Sequence, residues 1–243
     1  MRALIAKEIR SFFSSVIGYL VIAVYLLINS AFLWVFPGNF NLLDGGYATL
    51  GDLFTISPWV FMFLIPALTM RMFADEKKAG TMELLLTKPV TDFQIVFSKF
   101  LAGLVLVLFS LLPTLLYYFT VYQLGASPGN VDSAASFGSY LGLLFLGGGF
   151  VSIALFASAL TDNQIVAFLL GMFLCFFFYY GFDQIAGFDL FGSADLLILK
   201  LGINEHYVSM SRGVIDSRDA LYFFSLMAIF IEASRLVIQS RKW

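Results

Sequence analysis

Charge is what this 243-residue sequence has least of. Only 12% of its residues are Asp, Glu, Lys or Arg, against 60% hydrophobic and 18% aromatic. A water-soluble domain of this size needs a polar shell that such a composition cannot supply. A basic excess is also missing, with 14 Lys and Arg against 16 Asp and Glu, and the positive residues are not gathered on one stripe. Nucleic acid is therefore excluded as a partner. The single cysteine, Cys175, lies inside an apolar run, so an intrachain disulfide and a Cys-rich metal centre are both excluded. The single histidine, His206, stands beside Glu205 without the second His of a zinc-protease helix. No G-x-x-x-x-G-K-[ST] occurs, and Gly147-Gly148-Gly149 is followed by no lysine that could meet a phosphate. The expectation is a non-enzymatic chain with no catalytic residues, no metal site and no bound cofactor.

What the sequence has in abundance is long apolar runs. A helix needs about twenty such residues to cross a hydrocarbon slab of roughly 30 Å. Six candidates emerge, near Val16 to Phe36, Pro58 to Phe73, Phe93 to Tyr122, Phe137 to Leu160, Ile165 to Phe182 and Ala220 to Ile238. The second is short and the third long, and Pro66 and Pro113 are expected to kink their helices. The first run lacks an A-x-A-like site after it and reads as a retained anchor rather than a cleaved signal. The fold class is all-α, a single polytopic membrane domain over residues 1–243 in a lipid bilayer.

Lys and Arg set the orientation. Eleven of the fourteen fall in the N-terminal segment, between Arg71 and Lys99, or in the C-terminal segment, all on one side of a six-span chain. Only Lys200, Arg212 and Arg218 fall on the other. Both termini are thus expected on the cytoplasmic side of the membrane.

Residues 1–14 precede the first span. Leu4, Ile5, Ile9, Phe12, Phe13 and Val16 share one half of a helical wheel, with Lys7, Arg10, Ser11 and Ser14 opposite. That pattern predicts an amphipathic helix in the membrane interface, the plainer alternative being a charged flank of the first span. The loop of residues 74–92 is the most charged part of the chain. Asp75 to Lys78 are followed by Gly80-Thr81, then Met82, Leu84, Leu85 and Leu86 around Glu83, until Pro89 stops the helix. A short cytoplasmic helix with an apolar face wants either a protein partner or the membrane surface, and pattern alone does not choose.

The stretch EKKAGTMELLLTKP, from Glu76 to Pro89, resembles the E-[RK]-x-x-G-T-x-E-x-L-L-x-x-P signature of ABC-2 type transporter permeases, the membrane subunits of ATP-binding-cassette exporters. Ser158 to Ala167 and Arg212 to Phe223 are similar to two further stretches of that family. Asn204-Glu205-His206 and the ending Ser240 to Trp243 most resemble the gliding-motility-associated permeases of Bacteroidetes. The resemblance implies that residues 74–92 carry a cytoplasmic coupling helix docking into a groove of a separate ABC ATPase subunit. Glu76, Lys77, Gly80, Thr81, Met82, Glu83, Leu84, Leu85 and Pro89 would form that contact. Asp162 and Asn163 in the next cytoplasmic turn would supplement it, unless that turn is an ordinary one with Thr161 or Asp162 as helix cap. It also implies ATP and Mg on the partner ATPase, a second permease subunit as heteromer or homodimer, and short extracytoplasmic helices within residues 183–218. The competing class is a membrane anchor or assembly subunit of a motility or secretion machine that transports nothing.

Three further groups are candidates. His206, Arg212 and Asp216 are extracytoplasmic gate contacts or plain interfacial anchors. Glu232 and Arg235, three apart inside the last span, can pair on one helix face, contact a partner or line a polar route. Gly138, Gly142, Gly147, Gly148, Gly149, Ser152 and Ala154 let the fourth span approach a neighbour closely, or mark a hinge.

Overall fold

A computed structural model describes residues 2–82, 89–125, 131–189 and 192–240. Among these every regular element is helical, and six helices are long and apolar enough to cross a membrane. We number the spans in chain order: span 1, Val16–Val35; span 2, Gly51–Lys78; span 3, Asp92–Leu124; span 4, Ser133–Leu160; span 5, Gln164–Ala186; span 6, Ser217–Gln239. The chain is an all-α, multi-pass membrane protein.

The spans begin where the sequence offers acceptors for unpaired backbone N–H groups. Thr91 and Gln94 form a reciprocal capping box at span 3. Asp132 accepts from the Ala135 N–H at span 4, and Asp216 accepts from the Arg218 N–H at span 6. Span 5 is capped by Asn163, whose Oδ1 accepts from the Ile165 N–H at 2.9 Å. This corrects the choice of Thr161 or Asp162: Thr161 Oγ1 instead accepts from the Asn163 N–H, one step earlier in the turn.

Span 2 is the largest departure from expectation. It is 28 residues long rather than 16, and both Pro58 and Pro66 lie inside it. A proline has no N–H, so Pro58 leaves the carbonyl four residues back, that of Phe54, without its helical donor. The Tyr207 hydroxyl donates to the Phe54 oxygen at 2.6 Å, from the short helix Ile203–Ser211. Helices survive internal prolines in a membrane when a neighbour satisfies the freed group in this way. Burial holds the Tyr207 hydroxyl well above its ordinary pKa, so it stays a donor. Tyr207→Phe is expected to cost about 1–3 kcal/mol, the penalty of one buried unsatisfied acceptor. A lowered unfolding temperature in detergent would show it, whereas an unchanged one would mean that the carbonyl finds another donor. In span 3, Pro113 sits in a 3₁₀ turn, Leu112–Thr114, between helices Asp92–Leu111 and Leu115–Leu124.

Span 4 lies at the centre, packed against spans 2, 3, 5 and 6 and the helix Ile203–Ser211. Lipid tails compete equally for apolar side chains, so close approach and interhelical hydrogen bonds must hold the bundle. Small residues permit both here, as the glycine pattern predicts. A Cβ on Gly147 would fall 2.5 Å from Val107 of span 3, and one on Gly148 2.9 Å from the Met227 sulfur of span 6. Toward the opposite end, Gly142 meets Met210, and Gly138 abuts the backbone of Gly213. That notch seats the helix Ile203–Ser211. Its placement supports the expectation of short helices between spans 5 and 6, where Asp195–Leu199 is a second. Deep between spans 1 and 2, Tyr25, Asn29 and Ser57 form a fully buried hydrogen-bonded group.

Candidate functional site

With six crossings, the N-terminal helix Arg2–Phe13, the end of span 2, the turn between spans 4 and 5, and the end of span 6 lie on one side. The charged residues Asp75 to Lys78 are the last turn of span 2 rather than a separate loop. Gly80 ends that helix. Its φ of +67° is in the left-handed region, and a Cβ there would meet nothing within 4 Å. The glycine is required by the backbone of a helix C-terminus and not, within this chain, by close approach to a neighbour.

Three contacts fasten this helix end to spans 4 and 5. The Ser158 hydroxyl donates to the Met70 carbonyl at 3.0 Å and accepts from the Phe73 and Ala74 N–H groups at 3.1 and 3.3 Å. Lys77 Nζ donates to the Ala159 carbonyl. Gln164 Nε2 donates to Asp75 Oδ1. The base of the first loop and the turn 161–164 are thus one packed unit, as the expectation of a shared side required.

A fourth attachment went unread in the sequence. Lys99, counted there among loop charges, lies inside span 3 with 2% of its side chain exposed. Its Nζ sits 3.0 Å from Glu76 Oε1 and 3.3 Å from Glu8 Oε1, and 5.2 Å from the centre of the Phe73 ring. Lys7 completes the group from the exposed side, 3.0 Å from Glu8 and 3.2 Å from Glu76. Burial alone would lower the Lys7 pKa, but the carboxylates of Glu8 and Glu76 outweigh it and raise the ammonium above its ordinary value. Glu76 Oε2 is buried and has no hydrogen-bond partner among the described residues. Two carboxylates and two ammonium groups therefore join the N-terminal helix, span 2 and span 3 at a single point.

This geometry revises several sequence readings. Glu76, expected at a partner contact, turns into the chain, and Lys77 is held by span 4. Met82 is 7% exposed and belongs to this chain's own core. Lys78, Gly80, Thr81 and Pro89, together with Asp162 and Asn163, are exposed at this end. Glu83, Leu84 and Leu85 lie outside the described residues. The N-terminal helix stops at Phe13, so Val16 belongs to span 1, and the otherwise apolar face of the helix carries the buried Glu8. Its Phe12 and Phe13 pack with Ile17 against Val21, Leu68 and Leu106 of spans 1, 2 and 3. A signal for the cluster was present: Glu8 falls four residues after Leu4 and four before Phe12, on the face where an apolar residue belongs, and Lys99 interrupts an apolar run.

At the opposite end, the gate candidates occupy three different settings. His206 is fixed between Asp219 Oδ1, 2.8 Å from Nδ1, and the Lys200 carbonyl, 3.0 Å from Nε2. Its ring stacks on Tyr222 at 3.9 Å between centroids. Asp216 serves as the cap of span 6, and Arg212 is exposed at the end of the helix Ile203–Ser211. Asp219 and Tyr222, which hold the histidine, lie in the family-like stretch Arg212 to Phe223 but are not among the gate candidates. In span 6, Arg235 Nη1 donates to Glu232 Oε1 at 2.8 Å, the pairing that the spacing allows, with both side chains partly exposed on the outside of the bundle. Among the described residues no group of three His, Cys, Asp or Glu is placed to hold a metal ion.

Residues 3–191 match a family model described as ABC-2 family transporter protein. No curated protein matches the chain. The matched region takes in the N-terminal helix, spans 1 to 5, Glu8, Glu76 and Lys99, and the turn at Asp162. Members of this family are membrane components of transporters, generally non-catalytic, that work with ABC ATPase subunits. With six apolar helices and a match over more than half its length, the chain belongs to the ABC-2 transporter family and is the membrane subunit of an ABC transporter.

Proposed function

We propose that this subunit couples ATP hydrolysis on a separate ABC ATPase to the outward movement of a substrate across a bacterial inner membrane. Both termini face the cytoplasm in this reading, on the strength of the Lys and Arg distribution. ATP and Mg belong to the partner. The observation that carries the proposal is the tying of the charged end of span 2 to three other parts of the bundle. Asp75 and Lys77 reach the turn between spans 4 and 5, and Glu76 reaches Lys99 of span 3 and, through Lys7, the N-terminal helix.

A displacement of residues 83–88 by a docked ATPase would pass through Gly80 into a helix end that cannot move alone. Spans 2, 3 and 4 would shift with it, and ATP binding and hydrolysis would favour different arrangements of them. Lys78, Thr81, Asp162 and Asn163 are positioned to meet the rim of the ATPase groove, where charges set register and association rate. A second permease subunit completes the path in this reading. Spans 1 and 5, the least buried of the six, flank span 2 and offer it a surface. The likeness of Asn204 to His206 and of Ser240 to Trp243 to gliding-associated permeases supports, in this reading, a role for the complex in gliding motility.

Purification through a tag on this chain from native membranes should recover an ABC ATPase. The isolated chain should hydrolyse no ATP above background, and hydrolysis should appear when the ATPase is restored. Robust hydrolysis by the chain alone would overturn the assignment. Reconstituted vesicles then separate a transporter from an anchor, because only the former moves a cargo when ATP is supplied.

A further inference from the structure

A groove of about 730 Å³ runs along the outside of the bundle between spans 3, 4 and 6. Its walls are apolar, with Phe97 and Leu104 of span 3, Leu144 of span 4, and Phe224 and Ala228 of span 6. Among the described residues Glu232 is the one charged residue lining it, at the end of the span 6 wall toward the C-terminus, and that carboxylate holds Arg235 at 2.8 Å. None of these residues belongs to the candidate coupling site.

The dimensions fit one leaflet. From Phe93 to Leu104 the span 3 wall rises about 16 Å at 1.5 Å per residue, near half of a roughly 30 Å hydrocarbon slab. An apolar channel one leaflet deep, with one carboxylate on its wall and that carboxylate's arginine partner beside it, has the form of an amphiphile's complement. The pair also limits the head group. A lone Arg235 would select an anion, but its guanidinium is already shared with Glu232, so the two present a negative and a positive group side by side. A head group carrying both an ammonium and a phosphate answers both charges. Of such head groups, one with a primary ammonium can donate hydrogen bonds to the Glu232 carboxylate, whereas a quaternary ammonium has no N–H to donate.

We propose that this groove is a binding site for a phosphatidylethanolamine-type lipid of the leaflet nearest the termini. One acyl chain lies between spans 3, 4 and 6, the ammonium on Glu232 and the phosphate on Arg235. The site is independent of which compartment the termini face and of the coupling reading above.

Native mass spectrometry of the purified full chain, exchanged into vesicle lipids of defined composition, tests the site. The wild type should retain one phosphatidylethanolamine at least ten-fold more strongly than phosphatidylcholine or phosphatidylglycerol of the same acyl chains. Glu232→Gln should abolish the preference for the ethanolamine head while leaving chain binding in place. Ala228→Trp, at an exposed position on the groove wall, should reduce retention of all three lipids. Both variants should keep the wild-type elution volume and helical content. Equal retention of the three head groups by the wild type would overturn the proposal, as would a preference that survives Glu232→Gln. A change from dimer to monomer in Ala228→Trp would also overturn it, by showing that a second copy fills the groove.

Discussion

Lys99→Met is expected to destabilise the chain by about 3–5 kcal/mol, the range found when one member of a buried ion pair is removed and its partners stay behind. Glu8 and the inward oxygen of Glu76 would then share a buried site with only Lys7, whose side chain is 53% exposed and partly screened by solvent. Against a net stability of roughly 5–15 kcal/mol, such a loss is large. Lys7→Met should cost within about 1 kcal/mol, since an exposed pair contributes little. Adding Glu8→Gln and Glu76→Gln to Lys99→Met should recover much of the loss, because neutral amides carry no uncompensated charge. Unfolding temperatures of the four proteins in one detergent measure the series. A Lys99→Met protein as stable as the wild type would show that the buried cluster contributes nothing. Limited proteolysis supplies a second readout: the N-terminal helix, released from Lys99, should be cut faster in Lys99→Met than in Lys7→Met.

Leu85→Asp is expected to weaken capture of the ATPase by roughly 150-fold. Under the proposed coupling role, the aspartate enters an apolar protein groove, and burying it unpaired costs several kcal/mol. A loss of about 3 kcal/mol corresponds to that factor, at about 1.4 kcal/mol per decade. Leu85 lies beyond Gly80, past the contacts that hold span 2, so the isolated variant should insert and unfold like the wild type. Glu83→Gln should be milder and should act mainly on salt dependence and association rate, as a rim carboxylate does. Pull-down of the ATPase at equal permease expression decides the matter, and equal recovery with equal coupled hydrolysis would refute docking through this segment. Lys99→Met and Leu85→Asp also separate two causes of lost activity. The first should lower stability whether or not the ATPase is present, and the second should lower assembly alone.

The six spans were legible in the sequence because a helix in lipid must satisfy its own backbone, which makes a span a local property of some twenty consecutive residues. The glycine stripe of span 4 was legible for a related reason, since small residues in an apolar helix have few uses besides close approach. The Glu232–Arg235 pair followed from helical spacing alone. Span 2 was misjudged because its prolines carry a meaning that depends on a residue far away: Pro58 reads as a boundary until Tyr207, 153 positions from Phe54, supplies the missing donor. The charged end of span 2 was misjudged in the same way. Nothing local distinguishes Glu76, which turns inward, from Lys78, which turns outward. The choice is made by Lys99 and by Glu8, 91 positions apart from each other and brought together only when the N-terminal helix lies against span 3. Met82 followed span 2 into the core, although its sequence neighbours resemble a surface motif. Hydropathy and periodicity record what each segment requires of its surroundings, lipid or water. Which distant group answers a buried charge or a freed carbonyl is decided by the approach of segments, and only the tertiary structure holds that information.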